Sequence, residues 1–108
     1  MISKRKIVAG CIGLVLACSA FAKDVVIDVR TPQEFQTGHV EGALNLPHDT
    51  IGQDIFKAKV NKDDHVMLYC KSGRRSEVAL GTLKGLGFSN IENYGGFEEA
   101  QKKRLQKH

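Results

Sequence analysis

Short apolar runs alternate with helix-forming segments from residue 23 onwards, and this alternation excludes most folds. The runs at 25–29, 43–46 and 66–69 are rich in aliphatic residues, which is typical of buried strands, and a short fourth strand is predicted at 91–93. Helices are predicted between 32 and 38, over 49–60 and 76–86, and from 97 to about 105. Strands that alternate with helices predict an α/β fold, with a mainly parallel central sheet and helices on both faces.

Capping and packing signals predict the helix ends and their inward faces. Thr31 is a predicted N-cap with Pro32 at the first helical position, and Gly38 ends that helix. Asp49 or Thr50 is the predicted cap of the second helix. The side chains predicted to face inward from the second and third helices are apolar: Ile51, Ile55, Phe56, Val60, Val78, Ala79, Leu83 and Leu86.

The third predicted strand leads a cysteine into a polar turn. Residues 69–76 read Tyr-Cys-Lys-Ser-Gly-Arg-Arg-Ser, so Cys70 stands between a strand and a helix for which Ser76 is the predicted N-cap. Backbone N–H groups of such a turn, and the positive end of the helix dipole, stabilise an anion on sulfur. We therefore expect Cys70 to ionise readily and to act as a nucleophile at the carboxyl edge of the sheet.

Residues 1–22 have the organisation of a secretory signal peptide. Three basic residues at 4–6 precede an apolar run at 7–17, and Ala-Phe-Ala at 20–22 is a small-x-small cleavage pattern. Cleavage after Ala22 leaves 23–108 as a single domain, located in the periplasm of a Gram-negative source. The alternatives are lipid attachment at Cys18 and a retained anchor. The apolar run is shorter than the roughly 20 residues that a membrane span needs, which disfavours the anchor.

Removal of residues 1–22 changes both the charge and the cysteine count. Three of the 16 basic residues and none of the 12 acidic residues lie there, so 23–108 carries 13 basic and 12 acidic residues, a net charge of +1. This balance gives no reason to expect nucleic-acid binding. Cys70 remains as the single cysteine, which indicates a reactive thiol in an oxidising compartment, with an inert buried cysteine as the alternative. The four histidines show no metal-ligand spacing, so no metal is predicted.

Four segments, in the right order and spacing, resemble the rhodanese family. Residues 27–35, Ile-Asp-Val-Arg-Thr-Pro-Gln-Glu-Phe, are similar to the family's first-strand motif, and residues 38–47 to its second signature. Residues 70–76 have the form Cys-x-x-Gly-x-Arg-Ser of active single-domain members, and 93–97 resembles the closing Gly-Gly motif. The resemblance covers nearly all of 23–108 and implies a single rhodanese-like α/β domain.

The resemblance also implies transfer of a sulfane sulfur. In rhodaneses the loop cysteine, here Cys70, attacks the outer sulfur of a donor such as thiosulfate, and the persulfide then passes its sulfur to cyanide or a thiol. No metal or organic cofactor is implied. The arginines would orient the dianionic donor, and loop N–H groups would hold the sulfur. The implied substrate-binding residues follow the cysteine directly: Lys71, Ser72, Gly73, Arg74, Arg75 and Ser76.

Some of these residues also have a plainer interpretation. The Arg75 guanidinium could hold the loop through backbone carbonyls, and the other two loop cations could be solvated charges. Asp28 and Arg30 end the first predicted strand, and we expect them to support the structure rather than to act in catalysis. Their predicted ion pair is with each other, or with Glu34 or Glu41.

Three other functions fit parts of this pattern. Phosphatases and oxyanion (arsenate) reductases share a Cys…Arg loop with five intervening residues, whereas four separate Cys70 from Arg75 here. A non-catalytic rhodanese-like binding module usually lacks the cysteine. An envelope persulfide carrier would use the same chemistry with a different acceptor. The expected partners are thiosulfate and a cyanide or thiol acceptor, and the mature domain is expected to be a monomer without stable membrane association.

Overall fold

A parallel sheet of four strands forms the centre of the computed structural model, which describes residues 22–106. The strands are β1 (Asp24–Asp28), β2 (Leu44–Asn45), β3 (His65–Tyr69) and β4 (Ile91–Asn93). Their order is β2-β1-β3-β4, and each neighbouring pair is parallel. The helices between and after them are α1 (Pro32–Thr37), α2 (Ile51–Lys57), α3 (Arg74–Gly85) and α4 (Phe97–Gln106). The predicted α/β class is confirmed.

Side chains of the central strand β3 alternate between two apolar layers. Val66, Leu68 and, directly after the strand, Cys70 belong to a core cluster that includes buried side chains of α2 and α3. Met67 and Tyr69 point to the opposite face and belong to a second cluster that includes a buried alanine of α4. Helices therefore cover both faces of the sheet, as predicted, and β3 leads into the loop from a fully buried position.

Local signals start and stop α1 where they were predicted. Thr31 Oγ1 accepts a hydrogen bond from the Glu34 N–H (3.2 Å), and Glu34 Oε1 accepts one from the Thr31 N–H (3.0 Å). This reciprocal capping box satisfies backbone donors at the helix start. Pro32 occupies the first helical turn and Gly38 is the C-cap, so the sequence-based boundaries of α1 are confirmed.

Helices α2 and α3 begin or end at other residues than predicted. Helix α2 is shorter than the predicted range 49–60, and Thr50 occupies its N-cap without a side-chain capping bond. Helix α3 begins two residues earlier than predicted, with Gly73 as its N-cap, so the prediction that Ser76 caps this helix is wrong. A backbone turn in the left-handed region, which glycine adopts without strain, starts the helix in place of a serine cap.

Two predicted core residues lie at the surface. Phe56 and Val78 are 55% and 59% exposed, so the prediction that they face inward is wrong. Phe56 follows the fully buried Ile55, and Val78 precedes the fully buried Ala79. Neighbouring residues of an α-helix are rotated by about 100° around its axis, so Phe56 and Val78 point away from the buried face of their helices.

The start of the described chain is tied to the turn before β3. The Lys23 N–H and Nζ both donate to the Asp64 carboxylate, at 3.0 and 2.6 Å, and the Asn61 N–H donates at 2.8 Å. Asp64 is 1% exposed. Within residues 22–106, no helix is long and apolar enough to cross a bilayer. The predicted signal peptide lies almost entirely outside the described residues and stays a prediction.

Candidate active site

The loop after β3 wraps the Cys70 side chain in backbone. The Cys70 N–H donates to the Gly95 carbonyl (3.0 Å), which continues the pairing of β3 beyond its last residue. Gly73 then takes a left-handed conformation with φ +96° and opens helix α3. A Cβ at this position would lie 3.3 Å from the Gly95 Cα, so both conformation and space favour glycine. The loop is therefore compact and pressed against the chain after β4.

Hydrogen-bond donors converge on the sulfur of Cys70. The Gly73 N–H donates to Sγ at 2.9 Å, and the Ser76 hydroxyl lies 3.6 Å from it. Complete burial by itself raises the pKa of the thiol, but donation from the Ser76 N–H and hydroxyl, and from the Ser72 and Gly73 N–H groups, outweighs it and holds the pKa below its ordinary value. The N-terminus of the 12-residue helix α3 adds its dipole. The site thus stabilises a thiolate.

The side chain of Asn93 joins this loop to the turn after β4. Its Nδ2 donates to the Gly73 carbonyl (3.0 Å) and to Glu77 Oε1 (2.9 Å). Its Oδ1 accepts from the Ser76 hydroxyl (2.6 Å) and from the Gly95 N–H (2.9 Å). Asn93 is not among the predicted site residues, although it begins the segment 93–97 that resembles the closing Gly-Gly motif.

Close backbone contact explains the glycine pair at 95–96. A Cβ on Gly96 would lie 2.6 Å from the Lys71 carbonyl oxygen, closer than real Cβ contacts. The Gly96 N–H donates to Glu99 Oε1 at 2.8 Å, and the same carboxylate oxygen would be 2.5 Å from a Cβ on Gly95. Gly96 therefore supplies room for the Cys70 loop, whereas Gly95 is favoured by its left-handed backbone, with φ +89°, and by the neighbouring Glu99 carboxylate.

The loop cations are in different environments. Arg75 makes a two-pronged ion pair with Glu34 of α1, with Nη1–Oε1 at 2.9 Å and Nη2–Oε2 at 3.1 Å. This bond holds the pKa of the Glu34 carboxyl at about 2 and raises that of Arg75. The expectation that Arg75 binds backbone carbonyls is therefore replaced by a carboxylate partner that the sequence did not reveal. Arg74 and Lys71 are exposed, and within the described part of the chain their side chains form no hydrogen bond.

A buried polar network lies beneath the loop. Arg30 donates to both carboxylate oxygens of Asp28, at 2.6–3.0 Å, and to the Gly38 carbonyl at 2.6 Å. The Tyr69 hydroxyl donates to Asp28 (2.9 Å) and accepts from the Val40 N–H (2.9 Å). Burial raises the pKa of Tyr69 to about 12, so it is a neutral donor here. Among the predicted alternatives, Asp28 and Arg30 pair with each other, and they brace the residue that precedes Cys70.

An open cleft of about 600 Å³ lies beside the loop, between α1 and the start of α4. Its lining is mostly charged: Arg30, Glu34, Thr37, Lys71, Gly96, Phe97, Glu98 and Glu99. In residues 22–106, no cluster of three or more His, Cys, Asp or Glu side chains has an arrangement suited to a metal ion. Lys71 is the loop residue that lines this cleft, and the fully buried Cys70 is not part of the lining.

Comparison with known proteins identifies the family of the chain. Residues 17–103 match the rhodanese-like domain family. Thiosulfate sulfurtransferase PspE of Escherichia coli (strain K12) is 38% identical over 88 residues, covering 82% of this chain and 85% of that protein. The putative mitochondrial thiosulfate sulfurtransferase of Schizosaccharomyces pombe is 41% identical over 83 residues, covering 67% of this chain and 58% of that protein. The solved structure of a rhodanese with anions from E. coli has a TM-score of 0.67 at 38% identity, covering 70% of this chain and 89% of that one. The chain belongs to the rhodanese family and is a sulfurtransferase.

Proposed function

We propose that the chain moves the outer sulfur of thiosulfate through a persulfide on Cys70. The Cys70 thiolate attacks the outer sulfur, a new S–S bond forms as the S–S bond of thiosulfate breaks, and sulfite leaves with the bonding electron pair. A cyanide ion or a thiolate then attacks the outer sulfur of the persulfide. Thiocyanate or a new persulfide departs, and Cys70 returns to the thiolate. The names of two relatives support thiosulfate as the donor.

The donors around Cys70 Sγ are the feature that supports this proposal most directly. The Gly73 N–H at 2.9 Å and the Ser76 hydroxyl at 3.6 Å stabilise negative charge on the sulfur of the attacking thiolate. The same groups, with the N–H of Ser72, would hold the anionic persulfide formed in the first step.

The loop cations suit an anionic donor. Thiosulfate is a dianion, and Arg74 and Lys71 are exposed, so both are available to attract it. Arg75 is held by Glu34 and contributes its charge from a fixed position. The four residues between Cys70 and Arg75 make a smaller loop than that of the phosphatase relatives, which favours a sulfur atom over a phosphate group.

Intact mass tests the proposal. We expect purified protein spanning 23–108 to gain the mass of one sulfur atom after incubation with thiosulfate, and to lose it after addition of cyanide. The Cys70→Ser variant serves as the control and is expected to gain nothing. A native chain whose thiol reacts with an alkylating reagent but takes up no sulfur would show that thiosulfate is not the donor.

We also propose that residues 1–22 direct the chain to the periplasm, where the domain acts as a monomer. Mass analysis of the protein recovered from a periplasmic extract is the test. A chain that begins at Lys23 supports cleavage after Ala22, whereas a retained leader or a lipid on Cys18 contradicts it. Light scattering of the purified domain tests the monomer.

A further inference from the structure

We propose that Asn93 is a positioning residue for the nucleophile: its amide holds the Gly73 carbonyl and the Ser76 hydroxyl, in the two residues that hydrogen-bond the Cys70 sulfur. This rests on the proposed function, in which Cys70 is the nucleophile. Asn93 does not touch the sulfur. It acts through its hydrogen bonds to Gly73 and Ser76, the two residues whose donors lie nearest to Sγ.

The amide orientation is determined by its neighbours. The Gly95 N–H is only a donor, so it requires the amide oxygen on its side. The Gly73 carbonyl and the Glu77 carboxylate are acceptors, so they require the amide nitrogen. All four bonds lie between 2.6 and 3.0 Å, and a flipped amide would lose the three to Gly73, Glu77 and Gly95. The side chain is thus locked between β4, the loop and α3.

This lock restrains the residue whose N–H donates to the sulfur. The Gly73 N–H, 2.9 Å from Sγ, belongs to the peptide before Gly73, and the Gly73 carbonyl belongs to the peptide after it. Asn93 Nδ2 holds that carbonyl at 3.0 Å, together with the Glu77 N–H of α3 at 3.2 Å. With the following peptide fixed, the left-handed Gly73, which has no side chain of its own to restrain it, has fewer directions in which to turn its N–H.

Asn93 also decides where the single proton of the Ser76 hydroxyl points. Three acceptors surround the hydroxyl oxygen: Asn93 Oδ1 at 2.6 Å, the Gly73 carbonyl at 3.0 Å and Cys70 Sγ at 3.6 Å. The shortest contact is to Asn93, so Asn93 Oδ1 competes with Sγ for this proton. The hydroxyl stays within reach of the sulfur, and rotation towards it would follow when charge builds there.

The test compares Asn93→Asp with the matched variant Asn90→Asp, which makes the same chemical change at an exposed position. Asn93→Asp replaces the amide donor with negative charge facing the Gly73 carbonyl and Glu77. We expect the midpoint of the pH profile for Cys70 alkylation to rise by about one pH unit, a roughly tenfold lower rate at low pH, with the high-pH plateau retained. The other charged groups around the loop stay unchanged: Lys71, Arg74, Arg75 with its partner Glu34, and Glu99.

A second variant covers the case in which Asn93→Asp does not fold. Asn93→Ala frees the Ser76 hydroxyl but releases Gly73. The Gly73 N–H is the nearer donor to the sulfur, so we expect a rise in midpoint smaller than that of the aspartate variant. A folded Asn93 variant with the midpoint of Asn90→Asp would overturn the proposal, because a purely structural role lowers stability without moving the profile. Alkylation reads the thiolate directly, so this result stands apart from whether thiosulfate is the donor.

Discussion

The ion pair between Glu34 and Arg75 makes a quantitative prediction for Glu34→Gln. The pair joins α1 to the first turn of α3 and holds the pKa of the Glu34 carboxyl at about 2, against an ordinary value of 4.5. A tenfold change in proton affinity corresponds to about 1.4 kcal/mol, so this shift sets an upper limit of about 3.5 kcal/mol on what the charged carboxylate adds to the free energy of unfolding. The side chains are 31% and 28% exposed, so solvent screening reduces the expected loss of stability to about 1–2 kcal/mol at pH 7.

Glutamine isolates the charge from the capping role of Glu34. A glutamine at this position can still complete the capping box with Thr31, so α1 keeps its N-terminal hydrogen bonds. The exposed Glu41→Gln is the matched control for loss of one carboxylate. It is expected to change stability by less than about 0.5 kcal/mol.

The pH dependence separates the ion pair from other causes. A carboxyl whose folded pKa is depressed stabilises the fold above its unfolded pKa, and this contribution is lost as the pH falls through the folded pKa. Urea unfolding of native protein and Glu34→Gln should therefore give a constant difference from pH 7 to about 5.5, and one reduced to less than half of that value at pH 3. A difference that is absent at pH 7, or that stays constant to pH 3, would refute this reasoning.

Three further predictions concern the loop and the chain start. Gly96→Ala places a Cβ 2.6 Å from the Lys71 carbonyl oxygen, so we expect the free energy of unfolding in urea to fall by at least about 2 kcal/mol. The control Gly81→Ala, on the open surface of α3, is expected to be neutral or stabilising. Equal effects of the two variants would contradict this close contact. Asp64→Asn should lower the free energy of unfolding at pH 7, because hydrogen bonds outweigh burial and hold the pKa of the native carboxyl below its ordinary value. The difference in stability from native protein should shrink below about pH 4. A difference that does not change with pH would exclude this charge effect. Arg74→Ala should raise KM for thiosulfate without loss of stability. Arg75→Ala should lower both activity and stability, because it removes the ion pair with Glu34. Equal melting temperatures for the two variants would show that this ion pair does not hold the loop.

Some features of the site follow from local sequence. Thr31, Pro32 and Gly38 set α1 through contacts within a few residues, and the capping box forms as those residue types predict. The strand–loop–helix around Cys70 follows in the same way, since an apolar run, a glycine and a helix-forming segment stand next to one another. The predicted pair of Asp28 and Arg30 also spans only two residues.

Other local signals gave the wrong answer where packing decides between neighbouring positions. Phe56 and Val78 are apolar and adjacent to core residues, yet the helices turn them outward. Ser76 has the residue type of an N-cap, but α3 begins at Arg74 because Gly73 adopts the left-handed turn and starts the helix earlier. Residue type alone does not distinguish positions that differ by one step around a helix.

The chain's residue pattern was sufficient for the α/β class and the family, and it singled out Cys70 as the proposed nucleophile, because these depend on short-range signals and on motifs contiguous in sequence. Only the fold brought Glu34 to Arg75, 41 residues away, and Asn93 to Gly73, 20 residues away. Their pairing depends on the order β2-β1-β3-β4, which puts the ends of β1 and β4 on either side of β3. A polar side chain's partner is set by which strand ends are neighbours, and that is a property of the assembled sheet.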